Sequence, residues 1–573
     1  MIAPFLGFSL LSLVCYGGAI SGPFLNWDDN TFLVDNPVVH RLSFANLSTL
    51  FTSLHQQVYT PLHFLSTALQ YSLWGAWAPG FHVTNILVFA LGLTLLYRLL
   101  LRLGVARLAA LAATALYAAH PSHVESVAWI TGLKDVQSFA FAMAATLFHL
   151  GTEAQRRRPV LSFAFFLAAL LSKNTLIVLP ALLFLLDWGV CRTPLRRSAL
   201  RVLPHLALAA LLTWVVQSRW KEQQILRRDS TPVAARIGDT YWHYLRTTLL
   251  PIDLSPLYPA RLARGWTGGA VAGLVVPMLL GVLCLVRRWW WALAALAWFV
   301  LALSPMSNIV PLYYRVNDRY LILPTLSIAL VTAHLLSPHL ALGHRSPNGR
   351  AALAVTLAVA ATWGALTAHQ SRAWTSDRRL WTLATRRQPD SYYAWLKLGE
   401  ALGHRGQYQA AMDAYAQAVR RVKLPSGFLK LNDAALRSTL GAGRRDPAYN
   451  PLMRSYAKVL RSPEQLLALA SVLERRRLFA PAWVALFTAR SLSPRNVEIR
   501  LRLASSWLKR KRPAQALRVL GSPPQGDDEQ RRYLTYKFLA LRGLHRRDEA
   551  TAVLRKALQR FPDDPVLKQL AGR

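Results

Sequence analysis

Asp28 and Asp29 stand side by side in the stretch NWDDNTFLVDNP, just beyond an apolar run that ends near Leu25. Adjacent carboxylates repel, which raises the pKa of one of them and suits it to act as a base near neutral pH. The same Asp- and Asn-rich stretch also reads as a solvated turn. A second group of ionisable residues occupies HPSHVESVAWITGLKD: His120, His123, Glu125, Lys134 and Asp135, set between two apolar segments. Charged groups at membrane depth cost roughly 2.5–3.5 kcal/mol each on insertion, so they face a cavity and mark function. His120, His123 and Glu125 could hold a metal ion or form a hydrogen-bonded network. Lys173, in LLSKNTLIVLP, is a lone cation near Asp187 in sequence. Arg315, Asp318 and Arg319 lie in PLYYRVNDRYLILP beside Tyr313, Tyr314 and Tyr320. Two arginines suit a phosphate held at the membrane surface, and the tyrosines suit interfacial anchoring.

These residues need elements to carry them. The chain has 573 residues, 53% of them hydrophobic, and a mean hydropathy of +0.24, which calls for a membrane solvent. About eleven segments approach the length of roughly 20 residues that a bilayer core demands. Their expected centres are Leu11, Leu91, Ala112, Ala144, Phe166, Leu182, Ala209, Leu279, Ala297, Ala329 and Ala358. The first, Met1 to Leu25, lacks a basic head and reads as an uncleaved span. Arginines follow alternate segments: Arg98, Arg102 and Arg107; Arg156, Arg157 and Arg158; Arg192, Arg196, Arg197 and Arg201; Arg287 and Arg288. Those loops are expected on the cytoplasmic side. The Asp pair, the His/Glu turn, Lys173 and the Arg pair then share the outward edge. The 217–266 loop, with Arg219, Lys221, Arg227, Arg228 and Arg236, runs against the charge rule but is long enough to escape it.

Beyond Trp374 charge is dense and no apolar run could span a bilayer. Gly399, Ala470, Ala504 and Phe538 hold one slot of a helical repeat. Ala411, Ala482, Ala516 and Ala550 hold the next, and Ala418, Ala489 and Ala557 a third, with Pro494 and Pro562 closing two units. The period is that of tetratricopeptide repeats, which bury their faces by stacking into a solenoid. The fold class expected is all-α: a polytopic helix bundle over 1–370, then a soluble repeat domain over 375–573.

The formal charge of +39 comes from 67 Lys and Arg against 28 Asp and Glu. Without a base-reading motif it points to membrane loops and not to nucleic acid. The three cysteines, Cys15, Cys191 and Cys284, are too far apart for a disulfide framework or a zinc pattern.

The order WDDN…NP, YTPLHFLS, WGAWAPGFHVTN, HPSHVESVAWITGLKD, SKN…LP…D, RVNDRYLILP and then tandem repeats resembles the transmembrane and tetratricopeptide-repeat O-mannosyltransferases, within the membrane-embedded GT-C class. The resemblance implies a polyprenyl-phosphate sugar as donor, with no separate cofactor and the need for a divalent metal left open. It implies membrane lipids as surroundings and a polypeptide acceptor held by the repeats. It places the base at Asp28 or Asp29, with Asp28 favoured. Arg315, Arg319, Lys134 and Lys173 would meet the charge that develops on the phosphate. His82 and Asn85 would line the acceptor or sugar cavity. The sequence departs from the family at Asn174, where an acidic residue is usual, and at Lys134, where Arg is usual, which leaves sugar and acceptor open. Arg-rich composition implies a bacterial inner membrane with periplasmic repeats, or the endoplasmic reticulum membrane in a eukaryote. A non-catalytic scaffold that displays the repeats, and a transporter of lipid-linked sugars, are the other readings.

Overall fold

The computed structural model describes residues 2–54, 58–150, 158–220, 231–258, 265–312, 314–340, 347–405, scattered positions between 407 and 490, 493–509 and 511–571. Outside them lie Arg156, Arg157, Lys221, Arg227, Arg228, Tyr313, Ala411 and Ala418, together with most of 406–462. All regular elements among the described residues are helical, and the chain divides into two compact units, Met1–Asp390 and Ser391–Arg573.

Among the described residues the first unit holds sixteen α-helices with short 3₁₀ and π turns between them. They are α1 (Ile2–Tyr16), α2 (Phe44–Thr52), α3 (Pro61–Trp74), α4 (Ala78–Arg102), α5 (Arg107–Ala118), α6 (Val124–Ala128), α7 (Leu133–His149), α8 (Pro159–Ser172), α9 (Leu179–Phe184), α10 (Leu195–Trp220), α11 (Val233–Leu249), α12 (Gly268–Val286), α13 (Trp290–Leu303), α14 (Leu326–Leu340), α15 (Pro347–Ser371) and α16 (Asp377–Arg387). Each expected span centre falls inside one of these helices. Five of the apolar helices are long enough to cross a membrane: Ile2–Ala19, Ala78–Arg102, Leu195–Val216, Gly268–Val286 and Pro347–Thr375. The protein covers little of the last three. Leu203, Leu206 and Trp214 on α10, Met278, Leu279 and Val286 on α12, and Val355 on α15 are all exposed. Apolar faces this large are stable in lipid and not in water, so the chain is a membrane protein.

Local chemistry starts and stops these helices. Pro61 and Pro159 occupy the first helical positions of α3 and α8, where a missing N–H costs nothing. The side chains of Ser43, Thr267 and Ser376 cap α2, α12 and α16 by accepting from Asn46, Ala270 and Arg379 N–H groups. Gly75, at φ +57°, ends α3 in a conformation that disfavours a side chain.

The bundle centres on α7, which packs between α4 and α8, while α5 lies against α14 and α15. Hydrogen bonds from buried side chains to carbonyls tie distant helices. Tyr16 Oη donates to Ala118 O at 2.7 Å, Thr367 Oγ1 to Ala119 O at 2.7 Å, and Trp298 Nε1 to Leu323 O at 2.9 Å. The unit extends past the last apolar helix because α16 buries Leu380, Trp381 and Ala384 against it. The division therefore falls at Asp390, beyond the expected start of the repeat domain.

The second unit contains helices Val497–Lys509, Pro513–Leu520, Asp527–Gly543, Arg547–Arg560 and Pro565–Ala571. They pack as successive hairpins over Leu503, Trp507, Leu520, Leu534 and Ala557. Ala504, Ala516, Ala550, Ala557 and Phe538 are all buried. Arg532 pairs with Glu498, 34 positions earlier, at 2.7 Å, linking equivalent helices of neighbouring hairpins.

Candidate active site

The chain between α5 and α7 builds the site. His120 through Leu133 is buried throughout, in two 3₁₀ turns (Pro121–His123 and Ile130–Gly132) on either side of α6. The second turn is tight: a Cβ on Gly132 would lie 2.4 Å from Ser126 O and 3.0 Å from Glu125 O, so only glycine fits. Asn85 of α4 holds the same bend, donating from Nδ2 to Trp129 O at 2.8 Å and Ile130 O at 3.2 Å. Both donors are used there, so Asn85 clamps the turn. His82 is buried against the backbone of Gly22 and Ala128, where it packs the first loop against α6.

The loop after α1 docks on this turn through Asp29, which is fully buried. Leu25 N donates to its Oδ2 at 2.8 Å, Thr131 N to its Oδ1 at 3.1 Å, and the Thr131 hydroxyl also donates to Oδ1. Burial pushes this carboxyl up from its ordinary 3.8 to about 6, against the pull of those donors, and the Asp28 charge is the smallest contributor. Desolvation, and not repulsion within the pair, is thus the chief perturbation. Asp28 is different. It is half-buried, and among the described residues no donor reaches its carboxylate. Its charge acts on Lys134 and Arg319. Asp29 anchors the loop, and Asp28 is the carboxylate left open.

Two cations feel its charge, and a third stands beyond them. Lys134 Nζ lies 5.1 Å from the Phe32 ring centre and 5.3 Å from that of Trp129. Arg319 stacks over Trp129 and Tyr320, at 5.6 and 5.5 Å. Its guanidinium pairs with Glu125, and its N–H donates to the same carboxylate at 3.0 Å. Lys173 pairs with Asp135 and lies 5.8 Å from the Tyr320 ring centre. Asp187 belongs elsewhere: it accepts from His149 at 2.9 Å at the far end of α7 and faces Arg201 at 3.4 Å.

Arg315 stands 3.8 Å from Asp239, whose carboxylate accepts from Thr267 at the start of α12. Next along the chain, Asp318 accepts from Tyr258 Oη at 2.6 Å, and burial, with the Glu125 charge second, holds it well above the ordinary carboxylate range. His120 and His123 turn away from the carboxylates. His120 Nε2 meets Thr248 O at 3.0 Å and its Nδ1 meets Ser122 Oγ at 2.8 Å, while His123 Nε2 meets Thr325 Oγ1 at 2.9 Å. With Glu125 turned to Arg319, these three side chains diverge and do not form one ligand set.

Two features went unnoticed in the sequence. Trp27, beside the Asp pair, stacks on Trp374 with ring centres 6.2 Å apart and planes 7° apart, and touches Trp129 and Trp381 at 5.5 and 5.3 Å. Asn26 N donates to Asp377 Oδ1 at 2.7 Å. The segment after the last apolar helix thus pins the loop from the other side. The second feature is His63, buried on α3 in YTPLHFLS, with its ring 6.5 Å from Phe32 and the Lys134 charge acting on it. A tryptophan at the edge of WDDN and a histidine inside YTPLHFLS were the available signals.

An all-α membrane bundle with a half-buried carboxylate near a buried arginine and two half-buried lysines is the class that this geometry defines. The chain is similar to proteins named as O-mannosyl-transferases. Tmtc1 of Drosophila melanogaster is 28% identical over 236 residues, 39% of this chain and 27% of its own length. F38B6.6 of Caenorhabditis elegans is 29% identical over 152 residues, 24% of this chain and 22% of its own. TMTC3 of Mus musculus is 23% identical over 464 residues, 70% of this chain and 49% of its own. The match spans less than half the length of each of these curated relatives. No family model matches the chain, and no solved structure does.

Proposed function

We propose that the chain is an inverting glycosyltransferase. It moves a mannose-like sugar from a polyprenyl phosphate to a hydroxyl of a polypeptide, on the outward face of a bacterial inner membrane or its eukaryotic equivalent. The acceptor oxygen attacks the anomeric carbon, the bond from that carbon to the phosphate oxygen breaks, and the electron pair leaves with the phosphate. Asp28 takes the acceptor proton. Lys134 and Arg319, with Lys173 beyond them, meet the charge on the departing phosphate. The repeats of the second unit, read as tetratricopeptide-like, bind the polypeptide acceptor.

One observation carries the reading: among the described residues Asp28 keeps its carboxylate free of donors while Asp29, next to it, is held by three. A surface turn has no need to anchor one carboxylate in order to present another. The relatives' printed names support the reaction class.

The test uses purified full-length protein with mannosyl-phosphoryl decaprenol and a peptide rich in serine and threonine. Asp28→Asn loses about 10²–10⁴-fold in transfer rate, the typical worth of a general base, with insertion and melting unchanged. A variant that still transfers at the parental rate overturns the assignment of the base. A parental chain that transfers no sugar from any of a panel of polyprenyl-phosphate sugars overturns the enzyme in favour of a scaffold.

A further inference from the structure

Among the described residues, His63 Nδ1 on α3, and Asp135 Oδ2 and Gln137 Oε1 on α7, belong to the buried polar atoms near the carboxylates that have no partner. All three residues are at most 5% exposed. Gln137 spends its Nε2 on Leu62 O at 3.5 Å, which sets it beside His63. Lys134 lies one turn earlier on the same face of α7 and over the Phe32 ring. His63, Phe32, Lys134 and Gln137 thus gather at one place, adjoining Asp28. Asp135, the next residue after Lys134, points to a different face of α7 and pairs with Lys173.

Buried polar atoms without partners are costly and few in native proteins, and a cluster of them marks a place where another molecule supplies the hydrogen bonds. Their chemistry says which kind. Gln137 Oε1 only accepts. A phosphate has no hydrogen to offer it near neutral pH, so the cations here do not by themselves explain this atom. A hydroxyl group donates to it, and can also meet His63 Nδ1 in either tautomer. The Phe32 ring offers an apolar face of the size of a sugar ring.

We propose that His63 and Gln137 form a subsite for hydroxyl groups of the transferred sugar, with Phe32 against its ring and Lys134 marking the phosphate end. This rests on the donor reading above and adds to it a specificity device. The subsite tells a glycosylated lipid phosphate from a bare one.

The experiment measures binding of two probes, mannosyl-phosphoryl decaprenol and decaprenyl phosphate, to full-length protein in nanodiscs by tryptophan emission. The parental chain binds the glycosylated lipid at least about tenfold more tightly. Gln137→Leu and His63→Phe each shrink that preference about five- to tenfold, the size expected for one buried hydrogen bond. Their Kd for the bare lipid stays within about twofold, which also reports that they fold. His63→Asn, which keeps a polar group, retains part of the preference. A parental chain that binds both lipids alike overturns the subsite and leaves the donor reading standing. Unchanged preference in the variants, or equal weakening toward both lipids, also overturns it. A parental chain that binds neither probe overturns the donor reading, and the subsite with it.

Discussion

Replacing Gly132 by alanine tests whether the turn before α7 sets the geometry of the site. The new Cβ would stand 2.4 Å from Ser126 O, 2.9 Å from Ser126 C and 3.0 Å from Glu125 O. All three are backbone atoms inside a fully buried segment, so no side chain can swing aside. The turn must open by more than half an ångström. That segment carries Glu125 to Arg319, Thr131 to Asp29, and Lys134 to the first turn of α7. Forcing a group into a packed core costs about 1–3 kcal/mol, which lowers Tm by a few degrees. Misplacement by about 1 Å costs about 10²-fold in rate, so transfer falls between about tenfold and a hundredfold. Melting followed by tryptophan emission and transfer from mannosyl-phosphoryl decaprenol are read on one preparation. Gly7→Ala is the control, because nothing lies within 4 Å of the Cβ it would add. A Gly132→Ala protein with parental Tm and parental rate refutes the claim that this contact shapes the site.

Burial pushes the Asp29 carboxyl up from an ordinary 3.8 to about 6, so the folded state holds its proton more tightly than the unfolded chain does. Its contribution to stability is full below about pH 4 and is lost as pH rises through about 6, by at most about 3 kcal/mol; Asp29→Asn flattens a melting profile taken between pH 4 and 7. Asn85→Ala strips the carbonyls of Trp129 and Ile130 of their donor and costs about 1–3 kcal/mol in chemical denaturation. Trp27→Ala empties the space between Trp129, Trp374 and Trp381 and costs about 3–5 kcal/mol, with faster proteolysis of the loop as the readout. Asp377→Asn, which keeps an oxygen for Asn26 N–H, changes proteolysis far less.

Much of this was legible in the chain. Hydropathy alone located eleven of the sixteen helices described in the first unit, since each expected centre from Leu11 to Ala358 lies in a different one. The small residues at Ala504, Ala516, Ala550 and Ala557 marked positions where helices press together. The motifs named Asp28, Asp29, Glu125, Lys134, Asp135, Lys173 and Arg319, which the fold gathers. These are properties of single segments: an apolar run of given length, a proline at a helix start, a small residue at a fixed interval.

Which of two neighbouring carboxylates is buried, and which cation faces which anion, was decided only by tertiary structure. Asp29 meets Thr131, 102 positions away, and Arg319 meets Glu125, 194 positions away. Lys173 stands closer in sequence to Asp187 than to Asp135, yet it pairs with Asp135 while Asp187 turns to His149. His120 and His123 find their hydrogen-bond partners at Thr248 and Thr325, 128 and 202 positions away. The reason is geometric. Along a long helix the side-chain direction obeys the period of 3.6 residues, so a sequence pattern can be read as a face. Between α5 and α7 the chain changes from 3₁₀ to α to 3₁₀ within a dozen residues, and each change rotates the residues after it. There the direction of a side chain is set by whatever the distant helices bring against it.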